Sequence, residues 1–236
     1  MSEEPPARRN SRTRSRGDWR ERFQISGSRF QRTATGLILE PETWNLEPDE
    51  DLWAGRAFEP HRLFERAAPL EIEIGSGKAG FLVAAARANP AHDFLGLERA
   101  LSYYRICRER VARSGLANVR VLRADGRLFL ESLPAGLVRA FHVYFPDPWP
   151  KKKQTKRRLL DAVALEAISA RLEREGTLRI ATDHPSYGRS IQLSLGSVES
   201  LERLDWEALP PPPPTNYELK YAAQGRPIWR FLLRRR

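Results

Sequence analysis

The sequence has few of the residues that make covalent or metal-held scaffolds. It contains one cysteine, Cys107, so no disulfide can form within the chain, which is typical of a protein kept in a reducing cytosol. Cys107 lies among apolar neighbours in a predicted helix, and we interpret it as a core residue. The four histidines share no metal-ligand spacing, so we expect no metal site.

Long apolar segments are also missing. No apolar run of about 18 residues occurs, which argues against a transmembrane helix. The N-terminus is rich in arginine, but no apolar core follows it, so it does not have the pattern of a secretory signal. Together with the single cysteine, these features predict a cytoplasmic protein with no membrane partner.

Positive charge, by contrast, is abundant. The chain has 40 Lys and Arg against 30 Asp and Glu, a formal net charge of +10, which makes a nucleic acid the default partner. Residues 1–35 hold nine arginines and four acids but few apolar residues, and such a composition cannot bury enough surface to offset chain entropy. We therefore predict a disordered Arg-rich arm over residues 1–35 and one folded domain over residues 36–236.

The folded domain shows strand patterns that alternate with helical ones. Apolar runs predict strands at 70–74, 94–97, 119–122, 138–145, 178–181 and 228–233. Helical periodicity predicts helices at 78–88, 101–113, 127–132, 156–172 and 187–195. This alternation favours an α/β fold with a doubly wound, mostly parallel sheet and helices on both faces.

A glycine-rich loop follows the first predicted strand and opens a helix. Residues Gly75-Ser-Gly-Lys-Ala-Gly80 match the G-x-G-x-x-G pattern, and Glu98 follows near the end of the next strand. Glycines let the backbone approach a ligand closely, and an acid accepts hydrogen bonds from ribose hydroxyls. The pattern suits a nicotinamide cofactor and S-adenosylmethionine equally well, so the loop alone leaves both open.

Four acids fall at the carboxyl ends of four successive predicted strands: Glu73, Glu98, Asp125 and Asp147. In an open α/β sheet this edge is the ligand crevice. Glu73 would approach the ligand close to Gly75 and Gly77, where an anion is awkward for a pyrophosphate. An anion at Glu73 suits a ligand that carries an amino group and a sulfonium.

The stretch after the fourth strand is the most distinctive part of the chain. Three prolines surround an Asp and a Trp in Phe145-Pro-Asp-Pro-Trp-Pro, and proline fixes the backbone, so the Asp147 carboxylate is held in a rigid loop. Six Lys or Arg follow between Lys151 and Arg158 with no acid among them. A rigid acidic loop next to a cationic run predicts that a polyanion docks beside a chemical site.

At these residues the chain resembles the bacterial tRNA (guanine-N7)-methyltransferases. The resemblance covers residues 70–233 and rests on the glycine loop, the Phe-Pro-Asp-Pro-Trp-Pro-Lys element, Lys156-Arg-Arg158, Thr182-Asp183 and Thr215-Asn-Tyr-Glu218. It implies a Rossmann-like class I methyltransferase fold for the domain at 36–236. It also implies S-adenosylmethionine as the cofactor and a guanine in the variable loop of tRNA as the substrate.

The resemblance also implies roles for individual residues. The implied cofactor-binding residues are Glu73, Gly75, Gly77, Glu98, Asp125 and Asp147, and Asp147 is also the implied catalytic residue. The implied substrate-binding residues are Lys151, Asp183, Thr215, Asn216, Tyr217 and Glu218. The implied RNA-binding residues are Lys153, Gln154, Thr155, Lys156, Arg157 and Arg158.

The sequence departs from the family pattern in three places. Gln154-Thr155 stand where His or Asn is often found, the third glycine of the loop comes one residue late at Gly80, and Gly126 replaces the usual alanine after Asp125. Two other classes stay open at this point: a nicotinamide-dependent oxidoreductase and a non-catalytic RNA-binding protein. The sequence also leaves open whether the protein is a monomer or a homodimer.

Overall fold

A computed structural model describes residues 58–149 and 151–236 of the chain. The predicted arm at residues 1–35 lies outside this part. Within it, one seven-stranded sheet has the order β3-β2-β1-β4-β5-β7-β6. The strands are β1 (Leu70–Ile74), β2 (Asp93–Glu98), β3 (Val119–Arg123), β4 (Val138–Tyr144), β5 (Leu172–Thr182), β6 (Leu201–Leu204) and β7 (Trp229–Arg235). Strands β1 to β5 run parallel, and β7 is antiparallel to both β5 and β6.

Helices cover both faces of the sheet. They are α1 (Pro60–Phe64), α2 (Gly80–Ala88), α3 (Leu101–Ser114), α4 (Gly126–Ser132), α5 (Ala162–Arg171), α6 (Pro185–Leu195) and α7 (Asn216–Ala223), with 3-10 helices at Lys152–Arg157 and Trp206–Ala208. One core layer contains side chains of α2 and α3, and the other contains side chains of α1, α4, α5 and α6. This topology confirms the predicted α/β fold with a doubly wound, mostly parallel sheet and helices on both faces.

The interior contains the predicted core residue Cys107 and a pair of packed aromatic rings. Cys107 is fully buried between α3 and the sheet, as expected of a core residue, and burial raises the pKa of its thiol above the ordinary value. Phe58 is buried and packs edge-on against Phe129 at a ring-centroid distance of 5.4 Å. No helix among the described residues is long and apolar enough to span a bilayer.

The prediction of one helix over 156–172 is wrong. Lys152–Arg157 forms a 3-10 helix, and α5 begins only at Ala162. Two interactions prevent a continuous helix from forming between Arg157 and Ala162. The Arg158 guanidinium turns back to the carbonyl of Pro148, and the Asp161 carboxylate caps α5 by accepting from the Ala164 amide at 2.9 Å. The short elements α1, β6 and α7 were not predicted, and α1 and β6 are too brief to show a period.

Two glycines bring helices close to the central strands. A Cβ on Gly96 of β2 would lie 2.6 Å from the Ser76 hydroxyl, so the glycine loop can press against the sheet only because no side chain stands there. A Cβ on Gly126 would lie 2.3 Å from Cγ2 of Ile74. The residue that departs from the usual family alanine therefore allows α4 to start against β1.

Candidate active site

The glycine loop stands open at the carboxyl edge of β1. Gly75 and Gly77 have φ angles of +86° and +54°, in the left-handed region that favours glycine. The amide of Gly75 donates to the carbonyl of Leu97 at 2.8 Å, which ties the loop to β2. A side chain at either glycine would meet no atom within 4 Å. The loop therefore presents bare backbone to open space, where a ligand can approach it closely.

Glu98, the last residue of β2, fixes the shape of this loop. Its carboxylate accepts from the amide of Gly77 and from the amide of Ala100, each at 2.8 Å. These bonds leave lone pairs on both oxygens for ribose hydroxyls. The predicted position of Glu98 beside the loop is thus matched by direct contact, and the residue also has a structural use that the sequence did not reveal.

Glu73 is buried in β1 and lacks a complete set of partners. Its side chain is 5 % exposed, and its Oε2 has no hydrogen-bond partner among the described residues. Burial raises the pKa of this carboxyl to about 8, the Glu98 charge adds to the rise, and a hydrogen bond with Ser76 opposes it. A buried acceptor without a donor is costly, so this atom suits a ligand that brings a donor, such as an ammonium group.

Asp125 closes the same cleft beside β3. It is the N-cap of α4, where its carboxylate accepts from the amides of Arg127 and Leu128 at 3.0 and 3.5 Å. Its other oxygen lies 3.7 Å from the Arg99 guanidinium. The cap aims this carboxylate at the carboxyl edge of the sheet, next to Glu98.

Asp147 lies in a loop with unusual backbone geometry. Phe145 and Trp149, on either side of it, have φ angles of +50° and +41°, which is uncommon for side chains with a Cβ. The Asp147 carboxylate is exposed and has no hydrogen bond or ion pair with any described residue. In particular, it does not cap the following 3-10 helix, whose N-cap is Lys151.

Arg158 holds this loop from below. Its guanidinium is buried, donates from Nε to the Pro148 carbonyl at 2.8 Å and lies 4.8 Å over the Tyr187 ring. Its own carbonyl accepts from Arg127 at 3.2 Å. Arg158 thus ties the Asp147 loop to the fold, and its binding of RNA, implied by the resemblance, stays a prediction.

The other predicted RNA-binding residues lie on the surface or are not described. Lys153 and Arg157 are exposed, and Gln154 and Thr155 are partly buried. The Arg157 guanidinium lies 5.0 Å over the Trp149 ring, so it flanks the Asp147 loop. The side chains of Lys152 and Lys156 fall outside the described residues.

The Thr-Asn-Tyr-Glu motif opens α7 and reaches the glycine loop. Thr215 and Glu218 form a capping box: the Glu218 amide donates to the Thr215 hydroxyl at 3.0 Å, and the Thr215 amide donates to the Glu218 carboxylate at 3.1 Å. The Asn216 side chain packs so closely on Gly80 that a Cβ there would lie 3.2 Å from its Nδ2. The motif therefore places Asn216 and Tyr217 at the mouth of the cleft.

An aromatic cluster that sequence reasoning missed joins α7 to the Asp147 loop. Phe145, Tyr217 and Tyr221 have ring-centroid distances between 5.5 and 5.8 Å. Burial raises the pKa of Tyr217, and Tyr103, Tyr221, Asp147 and Glu98 raise it further. Tyr217 thus lies among groups from both sides of the cleft. The i, i+4 spacing of the two tyrosines was the available signal.

Asp183 lies at the end of β5 and pairs with Arg226 at 3.1 Å. The structure therefore gathers the predicted acids along one edge, in the order set by β3, β2, β1, β4 and β5. Among the described residues no group of three or more His, Cys, Asp or Glu is placed to hold a metal ion. The cleft is a polar, acid-lined site with an open glycine loop.

This sheet order, with an antiparallel seventh strand and an acid-lined glycine loop, is that of the S-adenosylmethionine-dependent methyltransferases. The model of a family described as putative methyltransferase matches residues 67–231. The chain is 34% identical over 183 residues to the tRNA (guanine-N(7)-)-methyltransferase of Erythrobacter litoralis, with 74% of this chain and 78% of that protein covered. The chain belongs to the tRNA (guanine-N(7)-)-methyltransferase family.

A second relative supports this membership, and two solved structures share the fold. The tRNA (guanine-N(7)-)-methyltransferase of Methylococcus capsulatus is 34% identical over 205 residues, covering 81% of this chain and 85% of that one. The fold is similar to the 16S rRNA methyltransferase KamB, with a TM-score of 0.51, 17% identity and coverage of 75% and 91%. A putative methyltransferase from Streptococcus mutans, in complex with SAH, has a TM-score of 0.50, 12% identity and coverage of 74% and 93%.

The cofactor is S-adenosylmethionine, as the family implies, and the residues present fit it. The unpartnered oxygen of Glu73 is an acceptor of the kind that an ammonium group needs, and Glu98 has lone pairs left for hydroxyls. The comparisons give no support to an oxidoreductase or to a non-catalytic RNA-binding protein.

Glu73 and Glu71 should show opposite pH dependence, although both lie in β1. The pKa of Glu73 is about 8 in the fold against an ordinary 4.5, so its ionisation destabilises the fold as pH rises through that window. Glu73→Gln should therefore raise the melting temperature of the ligand-free protein at pH 8 and have little effect below pH 4.5. Thermal melts from acid to alkaline pH measure this.

Glu71 is the matched control. Burial raises its pKa, but the hydrogen bonds and charges of His142 and His92 more than offset this, so the pKa lies below its ordinary value. Glu71→Gln should therefore destabilise the protein at neutral pH, with a loss that fades as pH falls through the folded pKa. The same sign for both variants would contradict the assignment.

The variants Arg158→Ala and Arg157→Ala should lose different amounts of folding stability. Arg158→Ala removes a buried charged donor from the Pro148 carbonyl, and such bonds are worth about 1.5–3 kcal/mol. Arg157→Ala removes an exposed side chain, and changes of that kind usually stay within about 0.5 kcal/mol. Chemical denaturation measures both, and equal losses would show that Arg158 does not hold the loop.

Proposed function

We propose that this protein transfers the methyl group of S-adenosylmethionine to N7 of a guanine in the variable loop of tRNA. The observation that carries the proposal is the juxtaposition of the open glycine loop, the unpartnered Glu73 and the exposed Asp147 at one edge of the sheet. The names of the relatives support tRNA as the substrate. A cytoplasmic location fits a tRNA substrate and is part of the proposal.

The cofactor end of the cleft is assigned to Glu73, Glu98 and Asp125, with the bare backbone at Gly75 and Gly77. The Glu73 carboxylate takes the amino group of the ligand, because its Oε2 has no donor among the described residues. Glu98 takes the ribose hydroxyls while it keeps the loop in shape. Asp125, beside Glu98 and β3, lies towards the adenine. When bound, S-adenosylmethionine supplies an electrophilic methyl group on a sulfonium.

The base-binding end is assigned to Asp147, Asp183, Lys151 and the start of α7. The N7 lone pair of guanine lies in the ring plane and is free without deprotonation, so no strong base is needed and positioning is the main contribution. N7-methylation makes the base cationic, and the Asp147 carboxylate favours that developing charge. Asp183 can accept from the N1–H and the 2-amino group of guanine, which adenine lacks.

The Asp183–Arg226 pair bears on this assignment. One oxygen of Asp183 accepts a hydrogen bond from Arg226 at 3.1 Å. Its other oxygen is therefore the one that binds the base, unless Arg226 moves aside. Tyr217, Asn216 and the capped start of α7 line the same mouth. Lys151, Lys153 and Arg157 are exposed beside it and are assigned to phosphates, with Gln154, Thr155 and Lys156 on the same segment.

Incubation of the purified protein with labelled S-adenosylmethionine and unmodified tRNA tests the function. Nucleoside analysis should find 7-methylguanosine in the variable loop. A tRNA in which the variable-loop guanine is replaced by adenine is the control and should accept no label. Label in another nucleoside would overturn the proposed reaction, and label at a guanine elsewhere would overturn the proposed position.

Asp147→Asn should slow the chemical step without unfolding the protein. The change keeps the shape of the side chain and removes its charge, and loss of one preorganised electrostatic group typically costs roughly 10²-fold in turnover. The melting temperature should stay unchanged, because Asp147 is exposed and caps no helix. Single-turnover methylation at saturating tRNA and cofactor measures the rate, and a rate near that of the wild type would remove Asp147 from catalysis.

A further inference from the structure

Helix α3 exposes apolar side chains on the surface beside the cleft. Tyr103 is 41% and Ile106 is 38% exposed, on a helix whose other face packs in the core through Tyr104, Cys107 and Val111. Residues three and four apart share one face of a helix, so Tyr103, Ile106, Arg110 and Arg113 form one row. We call this row the α3 stripe. Neither the fold nor the methyl transfer requires an exposed tyrosine and isoleucine there.

The stripe begins at the active site. Helix α3 starts directly after Ala100, whose amide is bound by the Glu98 carboxylate. Tyr103 is close enough to Tyr217 of α7 to raise its pKa, after the larger effect of burial. From there the row runs along the helix for about 15 Å, at 1.5 Å per residue. The stripe therefore leads from the mouth of the cleft down the flank of the molecule.

The helix that carries the stripe has an excess of positive charge. Residues 99–113 contain five arginines and one glutamate. Arg113 is exposed and Arg110 is partly buried, and neither forms a hydrogen bond or an ion pair within the described parts of the chain. Elsewhere on the surface arginines do pair with carboxylates, as Arg139 does with Glu173 at 2.9 Å. An aromatic ring followed by free cations matches the chemistry of a nucleic acid strand.

The sheet order places this stripe and the cationic segment at Lys151–Arg157 after strands on the two sides of β1. Helix α3 follows β2 and the cationic segment follows β4, and β1 with its glycine loop lies between them. The two flanking strands are thus about 10 Å apart, at roughly 4.8 Å per strand spacing. A base that enters the cleft must leave its stack, so its strand continues to both sides of the opening.

We propose that the α3 stripe binds the tRNA strand on one side of the target guanine, while the segment at Lys151–Arg157 binds it on the other. Tyr103 stacks on a neighbouring base, and Arg110 and Arg113 contact phosphates. The proposal rests on the tRNA methyltransferase function and adds a second RNA-binding surface to it.

Affinity for unmodified tRNA tests this, with the full-length protein and S-adenosylhomocysteine present so that no transfer occurs. The Arg110→Ala/Arg113→Ala variant should bind tRNA at least about fivefold more weakly, and its salt slope should fall by about 0.7–0.9 for each phosphate that the variant no longer neutralises. Tyr103→Ala should weaken binding by about tenfold because the base loses its stacking partner, and Tyr103→Phe should restore it. S-adenosylhomocysteine affinity should not change.

Arg174→Ala is the matched control, since Arg174 is also exposed but lies near the start of β5, away from the cleft. It should leave tRNA affinity within twofold of the wild type. Stripe variants that bind tRNA like the wild type would overturn the proposal, even where methylation of tRNA is established. A loss in Arg174→Ala as large as in the double variant would overturn it too, because net charge alone would then explain the effect.

Discussion

The central strand β1 carries two carboxyl groups on one face, and the site depends on which hydrogen-bond partners each of them has. Glu71 and Glu73 both point under α2, in a layer that excludes water. Glu71 is compensated, since the ring nitrogens of His92 and His142 lie 2.6 and 2.8 Å from its two oxygens. Glu73 lies one step nearer the carboxyl edge and has an oxygen with no partner among the described residues. The fold thus pairs the Glu71 carboxyl, whereas we propose that the free oxygen of Glu73 is paired only by a ligand.

The Asp147 loop forms the opposite wall of the cleft, and a buried arginine holds it in place. Prolines restrict the Asp147 loop, but two of its residues still hold left-handed backbone, which costs free energy. The buried Arg158 offsets this cost by donating to the Pro148 carbonyl. Arg127 in turn donates to the backbone carbonyl of Arg158 and to the Asp161 carboxylate, the latter at 2.8 Å. A chain of arginines therefore holds an acidic loop in place. Within the cationic run, Arg158 thus serves the fold, whereas Lys151, Lys153 and Arg157 remain exposed.

Much of this could be predicted from the sequence, and the exceptions have physical reasons. The alternation of strands and helices predicted the sheet, and the acids at strand ends predicted the edge, because parallel strands bring Glu73, Glu98 and Asp125 together whatever the loops do. The irregular path of Lys152–Arg157 could not be predicted, since it depends on the long-range bond from Arg158 to Pro148. The same holds for α7, whose position rests on contacts with Gly80 and Phe145.

The central claim is that the Glu73 carboxylate binds the amino group of the cofactor, and proton release on binding tests it most directly. With a pKa of about 8 the carboxyl is mainly protonated at neutral pH, and it must ionise to pair with an ammonium group. Titration calorimetry with S-adenosylhomocysteine at pH 7, in buffers of different ionisation enthalpy, should show release of nearly one proton in the wild type and none in Glu73→Gln. Binding with no proton release in the wild type would contradict the account.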